Sequence, residues 1–231
     1  MRRRAQGEPG MERIVKQGII FDMDGTLWDS AVNVAESWNV AIEKSRLTDR
    51  HLTEADIKGV MGKTMDVIAD VLFPDVEEKP RRELLAACCE VENDYLREHG
   101  GVLYPKLEET LGTLQKKYAL YIVSNCQAGY IEAFLDHYGF AKYFSDIECY
   151  GNNLKQKGEN IRLLADRNHL EQAVYVGDIQ GDYDASCQAG VGFIHAAYGF
   201  GTIAAEVPKI LKFEELPEVA EAYFGKAGRN M

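Results

Sequence analysis

The hexapeptide Phe21–Thr26 (FDMDGT) constrains this chain more than any other segment. The apolar run 19–21 leads into it and predicts a buried strand. Asp22 and Asp24 would then follow the carboxyl end of that strand, where open α/β sheets bind their ligands. Gly25 permits a turn and the close approach of a ligand. Two carboxylates at this spacing suit a nucleophile and a proton carrier beside a divalent cation, although acidic turns and calcium loops share the pattern.

Strand-like and helical patterns alternate from Tyr104 onward. The β-rich runs are 119–123, 147–150, 173–176 and 191–197. Strands that alternate with helices predict an α/β fold with a doubly wound parallel sheet.

Residues 29–103 carry helical patterns instead. Ser30 is predicted to cap the first helix, and Thr53 with Asp56 three residues later predicts the start of the second. A long helix is predicted from Arg81 towards His99, after a turn that contains Pro74 and Pro80. The segment is therefore predicted to be an all-helical insert in the α/β unit.

Polar residues also follow two later strands. Ser124 and Asn125 end the run 119–123, and Asp178 follows the run 173–176. Because the carboxyl ends of parallel strands share one edge of a sheet, we expect these residues to lie near Asp22 and Asp24.

Composition excludes several classes of function. The net charge of −11 at pH 7 argues against nucleic-acid binding. No apolar run is long enough for a membrane span. The five cysteines form no CxxC pair, which favours reduced thiols and a cytoplasmic location. Residues 1–17 are predicted to be a flexible tail, since no apolar segment follows the three arginines as it would in a secretory signal.

Four segments together resemble the motifs of the haloacid dehalogenase superfamily, in its phosphatase branch. They are FDMDGT, IVSN at 122–125, Lys157 before the helical run GENIRLL, and VGDIQGD at 176–182. The helical insert lies between the first two motifs, as in the C1-capped subgroup that includes phosphoglycolate phosphatases and beta-phosphoglucomutases. The resemblance implies a Rossmann-like core (18–28 and 104–226) with an inserted helical cap (29–103).

The resemblance also implies a role for each matching residue. Asp22 would attack phosphorus, and Asp24 would carry the proton to and from the reacting oxygens. Ser124 and Lys157 would hold the phosphoryl group. The implied Mg²⁺ ligands are Asp22, Asp24 (through its carbonyl), Asp178 and Asp182. Substrate contacts are predicted for Asn125, Gly25 and the cap residue Lys63.

The function implied is magnesium-dependent hydrolysis of a small phosphomonoester. A phosphomutase shares all four motifs and stays open, as does a catalytically silent module that binds a phosphate ligand. A dehalogenase is disfavoured because that branch lacks the second aspartate, and a phosphonatase because its first motif normally carries alanine there. The sequence indicates neither the substrate nor the oligomeric state.

Overall fold

The computed structural model describes residues 16–227 of the chain. Its strands are β1 (Gln17–Phe21), β2 (Trp28–Asp29), β3 (Val102–Leu103), β4 (Ala119–Ser124), β5 (Asp146–Cys149), β6 (Gln172–Gly177), β7 (Gly192–Ala196) and β8 (Lys209–Ile210). In the described residues, six of them form one parallel sheet in the order β5-β4-β1-β6-β7-β8. The predicted parallel α/β sheet is confirmed.

The helices are α1 (Ala31–Ser45), α2 (Glu54–Lys58), α3 (Met65–Leu72), α4 (Glu78–His99), α5 (Leu107–Leu114), α6 (Tyr130–Tyr138), α7 (Tyr150–Asn153), α8 (Lys157–Arg167), α9 (Gln180–Ala189) and α10 (Leu216–Ala227). Short 3₁₀ helices span Phe140–Tyr143 and Phe213–Glu215.

Hydrophobic clusters cover both faces of the main sheet. Ile20 faces α8 and α9 and packs in a cluster with Ile161 and Ala185. Ile19 and Phe21 belong to the cluster on the opposite face, which includes residues of α5, α6 and α10. Because both faces are covered, the central strands are apolar along their length and show no alternation.

The helical segment 29–103 contains α1 to α4. Trp38 of α1 stacks on Phe73, with ring centroids 6.1 Å apart, and both belong to the cluster that covers Ile19. Thr53 and Asp56 form the predicted capping box of α2.

Two predictions about helix starts in this segment were wrong. Ser30 precedes α1, but its hydroxyl makes no capping bond; the Asp29 carboxylate accepts the Ala31 N–H instead (3.1 Å). Helix α4 begins at Glu78, before Arg81, because Pro80 falls in the first turn, where no N–H is needed.

The chain passes between the main sheet and the helical segment at two points, here called the chain crossings, which lie side by side. Strands β2 and β3 pair antiparallel there, with Trp28 opposite Leu103. The Tyr138 hydroxyl donates to the Gly101 carbonyl (2.7 Å) and accepts from the Gly101 N–H (2.9 Å). Trp28 packs edge-on against Phe134 of α6, with ring centroids 5.0 Å apart. These contacts fix the crossings against α6.

The loop between α2 and α3 reaches over the carboxyl edge of the main sheet. Asn125 Nδ2 donates to the Gly62 carbonyl (2.9 Å). Gly62 has a φ of +79°, and a Cβ added there would collide with the side chain of Ile179. The loop therefore depends on glycine both for its backbone conformation and for its close approach to the sheet.

The predicted tail falls almost wholly outside the described residues, and Gln17, its last residue, already belongs to β1. None of the helices within residues 16–227 combines the length and the apolar composition of a membrane-spanning helix.

We expect Gly62→Ala to loosen this loop. A Cβ at Gly62 adds a collision with Ile179 to the strain of a positive φ, so amide hydrogen exchange in residues 59–64 should accelerate. Gly139→Ala is the matched control, because Gly139 has a φ of +66° and a Cβ there meets no heavy atom within 4 Å. The control should show only the backbone cost of about 1–2 kcal/mol in unfolding free energy. Unchanged exchange at 59–64 in Gly62→Ala would contradict this account.

Candidate active site

The loop after β1 turns sharply at the carboxyl edge of the sheet. The N–H of Leu27 donates to the Met23 carbonyl (2.8 Å). Gly25 has a φ of +83°, and a Cβ at this position would collide with the Asp178 carboxylate. Gly25 therefore allows the first acidic loop to pack directly against the acid that follows β6.

Lys157, the first residue of α8, links two carboxylates. Its Nζ lies 2.9 Å from Oδ1 of Asp22 and 2.6 Å from Oδ1 of Asp182. The Lys157 and Asp22 side chains are each 5% exposed, and that of Asp182 is fully buried. Lys155, two residues earlier, is exposed. A lysine buried between two carboxylates forms a charge-assisted pair with each.

Asp182 uses both of its oxygens within the protein. Besides the Lys157 ammonium on Oδ1, its Oδ2 accepts the N–H groups of Asp178 (3.0 Å) and Ile179 (3.2 Å). These bonds join the first turn of α9 to the end of β6. Asp182 is therefore held in the position from which it orients Lys157 and the backbone of Asp178.

Asp178 offers an oxygen that has no protein partner in the described residues. Its Oδ2 accepts the N–H of Phe200 (2.7 Å), whereas its buried Oδ1 makes no hydrogen bond. Carboxylate oxygens of Asp22, Asp178 and Asp182 lie within 4.8 Å of one another. An unpaired buried oxygen in a cluster of hard oxygen donors fits a divalent cation such as Mg²⁺.

The charges of the cluster do not balance. Burial raises the pKa of Asp22 to about 7, with Asp182 repelling its charge and Lys157 partly offsetting the effect. Burial, together with Asp182 and Asp22, raises the pKa of Asp178 to about 8. The pKa of Lys157 is raised too: burial opposes its charge, but attraction to Asp182 and Asp22 prevails. One lysine among these carboxylates leaves negative charge that a bound cation would neutralise.

Asp24 is held by two hydroxyl groups. Its Oδ1 accepts from Ser30 (2.6 Å) and from Tyr130 of α6 (2.7 Å). Burial raises the pKa of Asp24 to about 6, and the bonds from Ser30 and Tyr130 oppose that rise. A carboxyl group with this pKa can release and accept protons near neutral pH, as an acid–base group must.

Ser124 and Asn125 follow β4 beside these acids. Ser124 is buried and ends the strand. Asn125 donates its amide N–H to the Gly62 carbonyl, and in the described part of the chain its buried Oδ1 has no hydrogen-bond partner. The structure thus ties Asn125, which was predicted to contact substrate, to the loop of the helical segment.

A cavity separates the helical segment from the end of β4. Asp24, Ser124 and Asn125 line it on the sheet side, and Lys63 contributes from the α2–α3 loop. Lys63 is exposed, so its ammonium is free to reach towards a ligand in the cavity.

Sequence reasoning missed several residues around this site. Ser30 and Tyr130 reach Asp24 through tertiary packing, which no local pattern indicates. Phe200 follows the end of β7. The glycines on either side of it were an available sequence signal for a loop that approaches the site closely. Glu92 lines the cavity from α4. Glu92 lies in one buried stripe with Cys88 and Leu96. Because an acid in such a stripe is unusual, this position was also a sequence signal for a functional residue.

A family profile described as haloacid dehalogenase-like hydrolase matches residues 19–196. The chain belongs to this family. The resemblance inferred from the four motifs is confirmed, and with it the enzyme class: the chain is a phosphatase of this family.

Individual relatives agree with this assignment. The chain is 28% identical over 228 residues to a phosphoglycolate phosphatase of Salmonella typhimurium, covering 84% of this chain and 88% of the relative. A predicted phosphoglycolate phosphatase from Haemophilus somnus has a similar fold, with a TM-score of 0.76 at 22% identity, covering 91% of this chain and all of that one. A CbbY mutant from Rhodobacter sphaeroides, in complex with xylulose-(1,5)-bisphosphate, gives a TM-score of 0.73 at 19% identity and covers 86% and 95% of the two chains.

Replacing the buried lysine should destabilise the fold. Lys157→Met leaves Asp22 and Asp182 buried together without their cation, which should lower the free energy of unfolding by about 3–5 kcal/mol. Lys155→Met removes an exposed charge nearby and should change it by about 0.5 kcal/mol or less. Urea denaturation of both variants measures the difference. Equal stability of the two would show that the buried ion pairs contribute nothing to the fold.

Proposed function

We propose that this protein hydrolyses a small phosphomonoester through a phosphorylated Asp22, with Mg²⁺ as cofactor. The observation that carries the proposal is the pairing of Asp22 with Lys157 beside Asp178, whose buried Oδ1 has no partner among residues 16–227. The Lys157 ammonium group thereby holds the Asp22 carboxylate in place. The excess negative charge beside this pair favours a divalent metal ion.

In the first step Asp22 attacks phosphorus and the bond to the leaving oxygen breaks. Asp24 gives its proton to that oxygen, so the alcohol leaves neutral. In the second step Asp24 takes a proton from water, which attacks the phosphorylated Asp22 and releases inorganic phosphate. The two hydroxyls that hold Asp24 keep one of its oxygens fixed during both transfers.

The remaining residues hold charge and exclude water. Ser124 donates its hydroxyl to a phosphoryl oxygen, and Lys157 offsets negative charge on Asp22 and the transferring group. The loop held by the Asn125–Gly62 bond covers the cavity, where a lower dielectric strengthens these interactions. At the rim, the Lys63 ammonium contacts the substrate. Gly25 allows the loop after β1 to approach the phosphoryl group.

The residues that would hold Mg²⁺ are Asp22, Asp178 and the main-chain carbonyl of Asp24. When bound, the ion neutralises developing charge on the phosphoryl oxygens. Asp182 belongs to the same cluster, but both of its oxygens already accept hydrogen bonds. We therefore assign it the positioning of Lys157 and of the Asp178 backbone.

The fate of the phosphoryl group distinguishes a hydrolase from a phosphomutase. Both use the same phosphorylated aspartate, and a mutase returns the group to a sugar phosphate. Incubation with sugar phosphates, followed by separation of the isomers, detects a mutase even when no inorganic phosphate is released. Ligand binding without any turnover would instead indicate a silent binding module.

Phosphate release from a panel of phosphomonoesters, which includes 2-phosphoglycolate, tests the proposal. Activity should require Mg²⁺ and disappear on its removal with EDTA. Asp22→Asn keeps the size of the side chain and removes the nucleophile, so turnover should fall at least ~1,000-fold. Asp75→Asn, an exposed site in the helical segment, controls for the change in charge. Substantial turnover in Asp22→Asn, or full activity in EDTA, would overturn the proposal.

A further inference from the structure

One carboxyl group in the cavity has no part in the steps above. Glu92 lies in the middle of α4, within the stripe of buried residues that includes Leu85, Cys88 and Leu96. Its side chain lines the cavity that also contains Asp24 and Ser124. Glu92 is only 3% exposed, so it has lost nearly all contact with solvent.

Neighbouring protein groups offset the cost of burying the Glu92 carboxyl group only in part. Trp38 Nε1 donates to Oε2 of Glu92 (2.5 Å). Burial raises the pKa of Glu92 to about 8, against the effect of hydrogen bonds from Trp38 and Gln127. Within residues 16–227, no lysine or arginine forms an ion pair with it. Such a buried acid is costly to the fold unless a ligand supplies a further partner.

The wall around Glu92 is otherwise largely apolar. Its apolar members from the helical segment are Val34, Trp38, Ile57, Val60, Met61, Met65 and Ile68. A pocket with an apolar wall and few polar groups uses those groups to orient and select its ligand. Glu92 is the acid that the helical segment contributes to this pocket.

We propose that Glu92 selects the leaving group: preferred substrates carry a hydrogen-bond donor, a hydroxyl or an ammonium group, on the part remote from the phosphate. This inference rests on the proposed phosphomonoester hydrolysis and narrows its substrate class. An ester with an apolar end leaves the Glu92 carboxyl group without a donor. Where Glu92 is ionised, above its pKa of about 8, an ester with a carboxylate end such as 2-phosphoglycolate brings a second negative charge against it. Sites built to bond a substrate donor reject analogues that lack it.

A set of alkyl phosphates of matched short chain lengths tests this inference. The members end in hydroxyl, ammonium, carboxylate or methyl groups, and kcat/KM is measured for each with Mg²⁺ at pH 9, above the pKa of Glu92. The wild-type protein should favour a hydroxyl or ammonium end over the carboxylate and methyl ends by about tenfold or more. The better of the two donor ends identifies the chemistry that Glu92 binds.

Glu92→Gln keeps the size of the side chain and an acceptor for Trp38 but removes the acid. It should reduce the preference for the donor end over the methyl end by about tenfold, more for ammonium than for hydroxyl. Glu90→Gln removes an exposed acid from the same helix and should leave all ratios unchanged. Thermal unfolding confirms that both variants are folded.

A carboxylate-ended ester as the best wild-type substrate would overturn the inference without any variant. So would a Glu92→Gln variant that lowers kcat/KM equally for all four ends, because that pattern belongs to a structural acid. In both cases phosphate is still released and the proposed hydrolysis stands. Release from no ester, in a wild-type protein that is folded and supplied with Mg²⁺, would overturn the proposed function itself.

Discussion

The buried contact of Lys157 with Asp22 and Asp182 is the interaction on which the rest of the site depends. It joins the loop after β1, the start of α8 and the first turn of α9 through one ammonium group. Asp182 extends the network to the backbone of Asp178. The lysine therefore holds the acidic cluster together and still leaves it with excess negative charge. That excess is the physical reason why a divalent cation would fit at this edge of the sheet.

The helical segment completes the site from the other side. Its two chain crossings pair as β2 and β3 beside α6, and its α2–α3 loop reaches the sheet through the Asn125–Gly62 bond. Ser30, at one crossing, donates to Asp24. The Asp24 carboxylate is therefore bonded to one of the two stretches of chain that connect the helical segment to the main sheet.

Much of the fold and part of the site could be predicted from the sequence, for a simple reason. Buried parallel strands require apolar runs, and parallel strands share an edge, so the polar residues after them had to meet. What depends on tertiary packing could not be predicted: Tyr130 comes from α6, and Ser30 faces Asp24 and not its own helix. Glu92 was overlooked because the segment 81–99 was analysed only for its length and its ends. The early start of α4 was missed because Pro80 was assigned to the preceding turn.

Titration of Mg²⁺ into the protein by calorimetry tests most directly whether the acidic cluster is a cation site. Asp178→Asn removes one charge and keeps the side chain's size, whereas Asp184→Asn removes an exposed charge two residues from Asp182. The account predicts a single binding event in the wild-type protein and in Asp184→Asn, and binding at least about tenfold weaker in Asp178→Asn. Equal Mg²⁺ affinity in all three proteins, or no binding to the wild type, would contradict it.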